Sequence, residues 1–183
     1  SEAWTMPNEL EAFLADGAPP VYMFFGTLQQ IDGEKVVPLM VEAAKKANCR
    51  AIIQTLDDNP NSDRRDGDIY YITRVPHRYI FPRCAAVVHH GGAGTTHSVT
   101  RAGCPSIVVE YFGDQEIWGR AIQRLEIGAF LHRRKLTPEK LATAISKVLN
   151  TPEIKQKANQ LAQKMQQEDG IAMAVNYLEE QQS

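Results

Sequence analysis

The chain has 183 residues, 43% hydrophobic and 23% charged, with a formal net charge of −2. That length suits one domain with a full core, and the balanced charge argues against a general nucleic-acid binder, which needs a basic face. No apolar run is long enough to span a bilayer as a helix, and Ser1-Glu2-Ala3-Trp4 is unlike a signal peptide.

Residues 1–20 read as a lead-in segment, in which Leu10, Phe13 and Leu14 suit a short helix that Pro19-Pro20 stops. Residues 21–25 are a continuous apolar run closed by Gly26-Thr27, the pattern of a buried parallel strand. A helix over about residues 33–48 sets Val36, Val37, Met40, Val41 and Ala44 on one face, with Lys45 and Lys46 near its negative end. Residues 50–55 are the next strand, and residues 56–67 a polar surface loop. Asp66-Gly67-Asp68 matches the Asp-x-Asp pattern of metal-dependent sugar transfer, but with no other ligands in view it reads as a turn before a strand at residues 69–72.

Residues 78–83 make a helical turn leading into a short buried strand at residues 85–88. The run His89-His90-Gly91-Gly92-Ala93-Gly94-Thr95-Thr96 follows, then a helix over residues 95–101 that Gly103 closes. Residues 106–109 form a strand followed by a polar exit at residues 110–115, in which Asp114 can cap a helix reaching about Leu125. Residues 128–131 are a last short strand. Thr137-Pro138-Glu139 and Thr151-Pro152-Glu153 each announce a helix, with Leu136 placed to staple onto Leu141. A third terminal helix carries the stripe Ile171, Ala174, Val175 and Leu178. Alternating strands and helices predict the α/β class: a Rossmann-like, doubly wound parallel sheet over residues 21–183, ending in helices. Cys49, Cys84 and Cys104 are odd in number and far apart, against a disulfide framework or zinc site and in keeping with a reducing, cytoplasmic setting.

The glycine turn between a strand and a helix brings unpaired N–H groups and the positive end of a helix dipole together, a site for an anion such as phosphate. In an open parallel sheet, ligands gather at the carboxyl ends of the strands. Gly26-Thr27, Val75-Pro76-His77, residues 89–96 and Gly113-Asp114-Gln115 leave those ends. Backbone N–H groups, threonine hydroxyls and a histidine suit a diphosphate, and a carboxylate beside a carboxamide suits paired sugar hydroxyls. His89 reads as structural and His90 as functional; Thr95 and Thr96 suit a helix start as well as a phosphate. A competing reading takes Gly92-Ala93-Gly94 and Glu110 as parts of a dinucleotide-binding oxidoreductase, but His97 stands where the third glycine belongs.

Val75-Pro76-His77, Phe81-Pro82-Arg83, residues 86–96, Arg101-Ala102-Gly103 and Phe112-Gly113-Asp114-Gln115 with Trp118 together resemble the UDP-sugar glycosyltransferases, nearest the sterol glucosyltransferase and antibiotic glycosyltransferase branch. The similarity extends from Pro19-Pro20-Val21-Tyr22 and Phe25-Gly26 to Leu136-Thr137 and Glu168-Asp169-Gly170. It implies the C-terminal, donor-binding half of the two-domain GT-B fold. It also implies inverting, metal-independent transfer from a UDP-sugar such as UDP-glucose to a sterol or other lipophilic hydroxyl, with no cofactor. An N-terminal acceptor-binding domain, in cis or in trans, would supply the catalytic base, so the chain alone is expected to be inactive. By position, the resemblance implies that His90, Gly92, Ala93, Gly94, Thr95 and Thr96 hold the diphosphate, His90 also steadying the leaving group. Gly26 and Thr27 would close over the phosphates, Val75 and His77 would lie by uracil and ribose, and Asp114 and Gln115 would hold sugar hydroxyls. Arg74 and Ser98 depart from the tryptophan and ribose-binding glutamate of plant relatives, Thr27 from the usual serine, and Glu110 from the proline of the sterol branch. A subunit of a split glycosyltransferase and a non-catalytic UDP-binding module are the alternatives. The full-length enzyme would be cytoplasmic or peripheral to membranes.

Overall fold

Every residue of the segments Val21–Met23, Ile69–Ile72 and Ala86–His89 is buried, and a strand wet on neither side needs cover on both faces of its sheet. The structure, a computed structural model, describes residues 4–57, 59 and 62–167. Its strands are β1 (Val21–Met23), β2 (Ala51–Gln54), β3 (Arg64–Asp66), β4 (Ile69–Ile72), β5 (Ala86–His89), β6 (Ser106–Glu110) and β7 (Gly128–His132). They form one sheet in the order β3-β4-β2-β1-β5-β6-β7, parallel except for β3. The helices are α1 (Asn8–Ala15), α2 (Gln29–Asp32), α3 (Val36–Lys46), α4 (His77–Ile80), α5 (Ala93–Arg101), α6 (Gln115–Arg124), α7 (Pro138–Leu149) and α8 (Pro152–Gln167).

Strand periodicity sorts the core. Val21, Met23, Ile53, Val88 and Val109 join α3 and α7 on one face, whereas Tyr22, Ile52, Tyr70 and Val87 join α1, α4 and α5 on the other. Val108 extends the second face to α6 and α8 through Ile122 and Ala158. The chain winds outward from β1 through β2 to β4, then returns to lay β5 beside β1 and continues through β6 to β7. Strand order therefore reverses between β1 and β5, in register at Met23 and Val88. Their carboxyl ends open the crevice where such sheets bind ligands.

The expected α/β architecture is present, with local differences. The polar stretch at residues 56–67 contains β3, which pairs antiparallel with β4. All three β3 residues are exposed, so no apolar alternation marks them as a strand. Gly67, at φ +58°, turns the chain back, in keeping with the turn expected at Asp66-Gly67-Asp68. Helical structure after β1 begins at once, with a 3-10 turn at Gly26–Leu28, and α3 starts later than predicted, at Val36. Its buried stripe is Val36, Met40, Ala43 and Ala44, with Val37 and Val41 half-buried. α5 starts two residues before the expected Thr95. The α7 start is as read: the Thr137 hydroxyl accepts from Lys140 N–H at 3.3 Å, and Leu136 and Leu141 share a core cluster. The helix expected around Ile171 to Leu178 lies outside the described residues.

The lead-in segment is bound to the sheet. Leu10 and Phe13 of α1 are fully buried against β-strand side chains. Arg50 lies 4.1 Å over the Phe13 ring and donates to Phe13 O and, at 2.8 Å, to Ala18 O. Replacing Arg50 by alanine removes those bonds, at a cost of about 1–3 kcal/mol. The expected outcome is faster amide exchange through residues 8–15, with β5 and α5 still protected.

His89, at the end of β5, is fully buried and holds two strands together. Its Nδ1 accepts the Gly91 N–H at 3.1 Å, which leaves Nε2–H to donate to Ser106 Oγ at 3.2 Å. Burial, helped by His90 and His77, pushes its pKa from 6.5 down to about 3. Between those values the unfolded chain binds a proton that the folded chain refuses, so stability falls as pH drops through the window. The slope is up to about 1.4 kcal/mol per pH unit. Urea midpoints at pH 7 and pH 5 should show this loss, and His89→Gln should flatten it.

Candidate functional site

The centre of the crevice is built by two histidines in the same conformation. As His89 does for Gly91, His90 turns its Nδ1 back to accept the Gly92 N–H, at 3.0 Å. Gly91 has φ +82°, and a Cβ on it would lie 2.6 Å from Val108 Cγ1, so no other residue fits this turn. A Cβ on Gly92 would lie 2.4 Å from Cε1 of the His90 ring, so that glycine is the ring's seat. With Nδ1 occupied as an acceptor, the proton of the neutral ring sits on Nε2 and is free to be donated. Burial lowers the His90 pKa, partly opposed by the Asp114 carboxylate, so the ring is neutral at pH 7.

Gly92 is the N-cap of α5, and the first intrahelical bond runs from Thr96 N–H to Gly92 O at 2.9 Å. The N–H groups of Ala93, Gly94 and Thr95 therefore have no intrahelical partner and carry the positive end of the helix dipole. This narrows the expected diphosphate cradle. Gly92 N–H is taken by His90, while Thr96 is buried and its hydroxyl donates to Gly92 O at 3.0 Å. Thr95 is half-buried.

The other expected residues lie around this centre with different degrees of access. Gly26, at φ +57°, and exposed Thr27 begin the 3-10 turn that leaves β1 beside the end of β5. Val75 is 4% exposed within the core, which leaves its backbone as the part able to face a base. His77 is half-buried, stacked on Phe81 at 4.3 Å, and burial lowers its pKa. It shares a cleft of about 410 Å³ with Ser98 and Arg101, and Ser98 Oγ donates to Gly94 O at 2.9 Å. Arg74 is exposed.

Asp114 occupies the N-cap position of α6 but has helical dihedrals and makes no side-chain cap bond, contrary to the expected cap. Its carboxylate is exposed and close enough to His90 to influence that ring. Gln115 is 6% exposed, and its Oε1 accepts from Tyr111 N–H at 2.8 Å and Phe112 N–H at 3.3 Å. Its oxygen thus shapes the β6 exit loop, which leaves the amide Nε2 as the end able to meet a hydroxyl. Glu110 Oε2 lies 2.8 Å from His132 Nδ1, joining the last residues of β6 and β7. Among the described residues no group of three or more His, Cys, Asp or Glu could hold a metal ion.

A supporting network was not foreseen from the sequence. Tyr22 Oη donates to Gln54 Oε1 at 2.8 Å, Gln54 Nε2 to Thr73 O at 3.1 Å, and Gln29 Nε2 to Gln54 O at 3.1 Å. It ties the ends of β2 and β4 to α2 beneath the crevice. The available signal was Gln54, a carboxamide closing an otherwise apolar strand.

Comparison with known proteins places the chain in a family. A sterol 3-beta-glucosyltransferase of Arabidopsis thaliana is 38% identical over 171 residues, covering 92% of this chain and 27% of the relative. The chain thus spans about a quarter of the length of that relative. Among solved structures, the glycotransferase of kitacinnamycin has a TM-score of 0.77 at 19% identity, over 99% of this chain and 46% of its own. The glycosyltransferase VinC, solved in complex with dTDP, has a TM-score of 0.68 at 22% identity, over 90% of this chain and 41% of its own. Residues 27–180 match the family described as the erythromycin biosynthesis protein CIII-like C-terminal domain. The chain therefore belongs to that family of GT-B glycosyltransferase C-terminal domains, with sterol 3-beta-glucosyltransferases among its relatives.

Proposed function

We propose that the chain is the donor-binding half of an inverting glycosyltransferase that moves a hexose from a UDP-sugar, UDP-glucose foremost, to the hydroxyl of a sterol or other lipophilic acceptor. One observation carries this reading: three free N–H groups of α5 and the Nε2–H of His90 meet at the strand-order reversal, with the Asp114 carboxylate beside them. The donors suit a diphosphate, and the carboxylate suits the hydroxyls of the sugar attached to it. As the bond to the sugar breaks, negative charge grows on the departing UDP. Dipoles already in place at Ala93, Gly94, Thr95 and His90 stabilise that charge without having to reorient.

No metal and no cofactor enter this mechanism. Gly26 and Thr27 approach the phosphates from β1, the Val75 backbone and His77 hold the base and ribose, and Gln115 Nε2 joins Asp114 at the sugar. The acceptor pocket and the base that deprotonates the acceptor come from an N-terminal domain, in cis or in trans. The isolated chain accordingly binds UDP without turning over.

Calorimetry with UDP tests the reading. His90→Ala should weaken UDP binding about tenfold or more, the worth of one hydrogen bond to a charged group. Gly92→Ala displaces the His90 ring and should cost nearly as much, and the double variant should lose no more than either single one. No binding of UDP at millimolar concentration, or full binding by His90→Ala, would sink the assignment. Tighter binding of dTDP than of UDP would move the donor to the thymidine series.

A further inference from the structure

We infer that Gln54 is a positioning residue for the donor nucleotide: it sets the span between the turn that closes over the phosphates and the segment that holds the base and ribose. The inference rests on the donor-binding reading above and deepens it. Gln54 ends β2, the strand between β1 and β4, and stands opposite Ile72 in the ladder to β4. The rest of β2 is Ala51, Ile52 and Ile53, all buried and apolar.

Gln54 is joined on both sides. Its backbone oxygen accepts from Gln29 Nε2 at 3.1 Å, and its own Nε2 donates to Thr73 O at 3.1 Å. Gln29 is 3% exposed and lies two residues beyond Thr27, while Thr73 lies two residues before Val75. Tyr22 Oη donates to Gln54 Oε1 at 2.8 Å, which fixes the direction of the carboxamide and leaves its N–H end for Thr73. Asp63 Oδ1 accepts the Thr73 N–H at 2.8 Å, so Thr73 is held at both its N–H and its C=O.

The two segments meet again farther on. Phe24, just past β1, and His77, which opens α4, have ring centroids 5.1 Å apart. That contact and the link from Gln29 through Gln54 to Thr73 close a frame at the carboxyl ends of β1, β2 and β4. Within it, the turn after β1 and residues 75–77 cannot shift independently. A nucleoside diphosphate touches both, and it gains from the fixed span because less loop ordering is left to binding. Gln54 thus acts on the ligand through its neighbours.

A double-mutant cycle read by calorimetry with UDP tests this. Gln54→Leu breaks the joint to Thr73, and Gln29→Leu breaks the joint to Gln54. Each should weaken UDP binding about tenfold, the cost of one loosened segment, and the double variant should be no weaker than the poorer single one, since a link cut once is already cut. Arg50→Ala, which loosens α1 and leaves the link intact, should bind UDP within about twofold of the unaltered chain, which separates positioning from a general loss of stability. Where the double variant fails to fold, Tyr22→Phe, which frees the carboxamide, replaces Gln54→Leu in the same cycle. UDP affinity kept in both single variants, losses that multiply in the double variant, or an equal loss in Arg50→Ala overturns the inference while the UDP site stands. Failure of the unaltered chain to bind UDP overturns both readings.

Discussion

The hydrogen bond from Gly92 N–H to His90 Nδ1 sets the chemistry of the crevice. It fixes the imidazole as a neutral ring with its proton on Nε2, because the other nitrogen already accepts. It also removes Gly92 from the set of free donors and leaves Ala93, Gly94 and Thr95 at the start of α5. The contact is possible only because residue 92 has no Cβ, which would otherwise collide with the ring. Burial reinforces the neutral state, so His90 is a directed donor, and the positive partial charge beside it comes from the helix end.

That bond needs a rigid support, and the sheet supplies it from both faces. β5 is central, paired with β1 on one side and β6 on the other, and every one of its residues is buried. His89 repeats the turn of His90 one residue earlier but points into the protein, where Ser106 completes its bonding. The two histidines thus divide the work: one locks β5 to β6, and the other faces the crevice. Gly91 lets the starts of α5 and α6 converge, since a Cβ on it would lie 2.6 Å from Val108 Cγ1 and 3.2 Å from Gln115 O. The starts of α5 and α6 are therefore coupled through a packing contact at Gly91.

Much of this was legible in the chain itself. Apolar runs at β1, β4 and β5, the Thr-Pro-Glu starts of α7 and α8, and the glycine turn are local patterns that obey strand period, capping and turn chemistry. β3 was not legible, because Arg64, Arg65 and Asp66 become a strand only through the ladder to β4. Stripe membership in α3 shifted because the helix packs against both the sheet and α7, which selects Ala43 over Val37 and Val41. The capping role of Asp114 failed for a similar reason: Gln115 holds the β6 exit loop instead, and the carboxylate turns out to solvent.

The sequence by itself determined the α/β class, the glycine turn that opens a helix and the set of strand ends that carry polar residues, since each depends on residues close together in the chain. Only the tertiary structure decided which of those groups remain available. His90 is oriented by Gly92, Thr96 bonds back into its own helix, Val75 sinks into the core, and Glu110 meets His132 across the edge of the sheet. Hydrogen bonds are exclusive and burial is collective, so which donors stay free depends on neighbours that folding brings together, and spacing along the chain does not encode it.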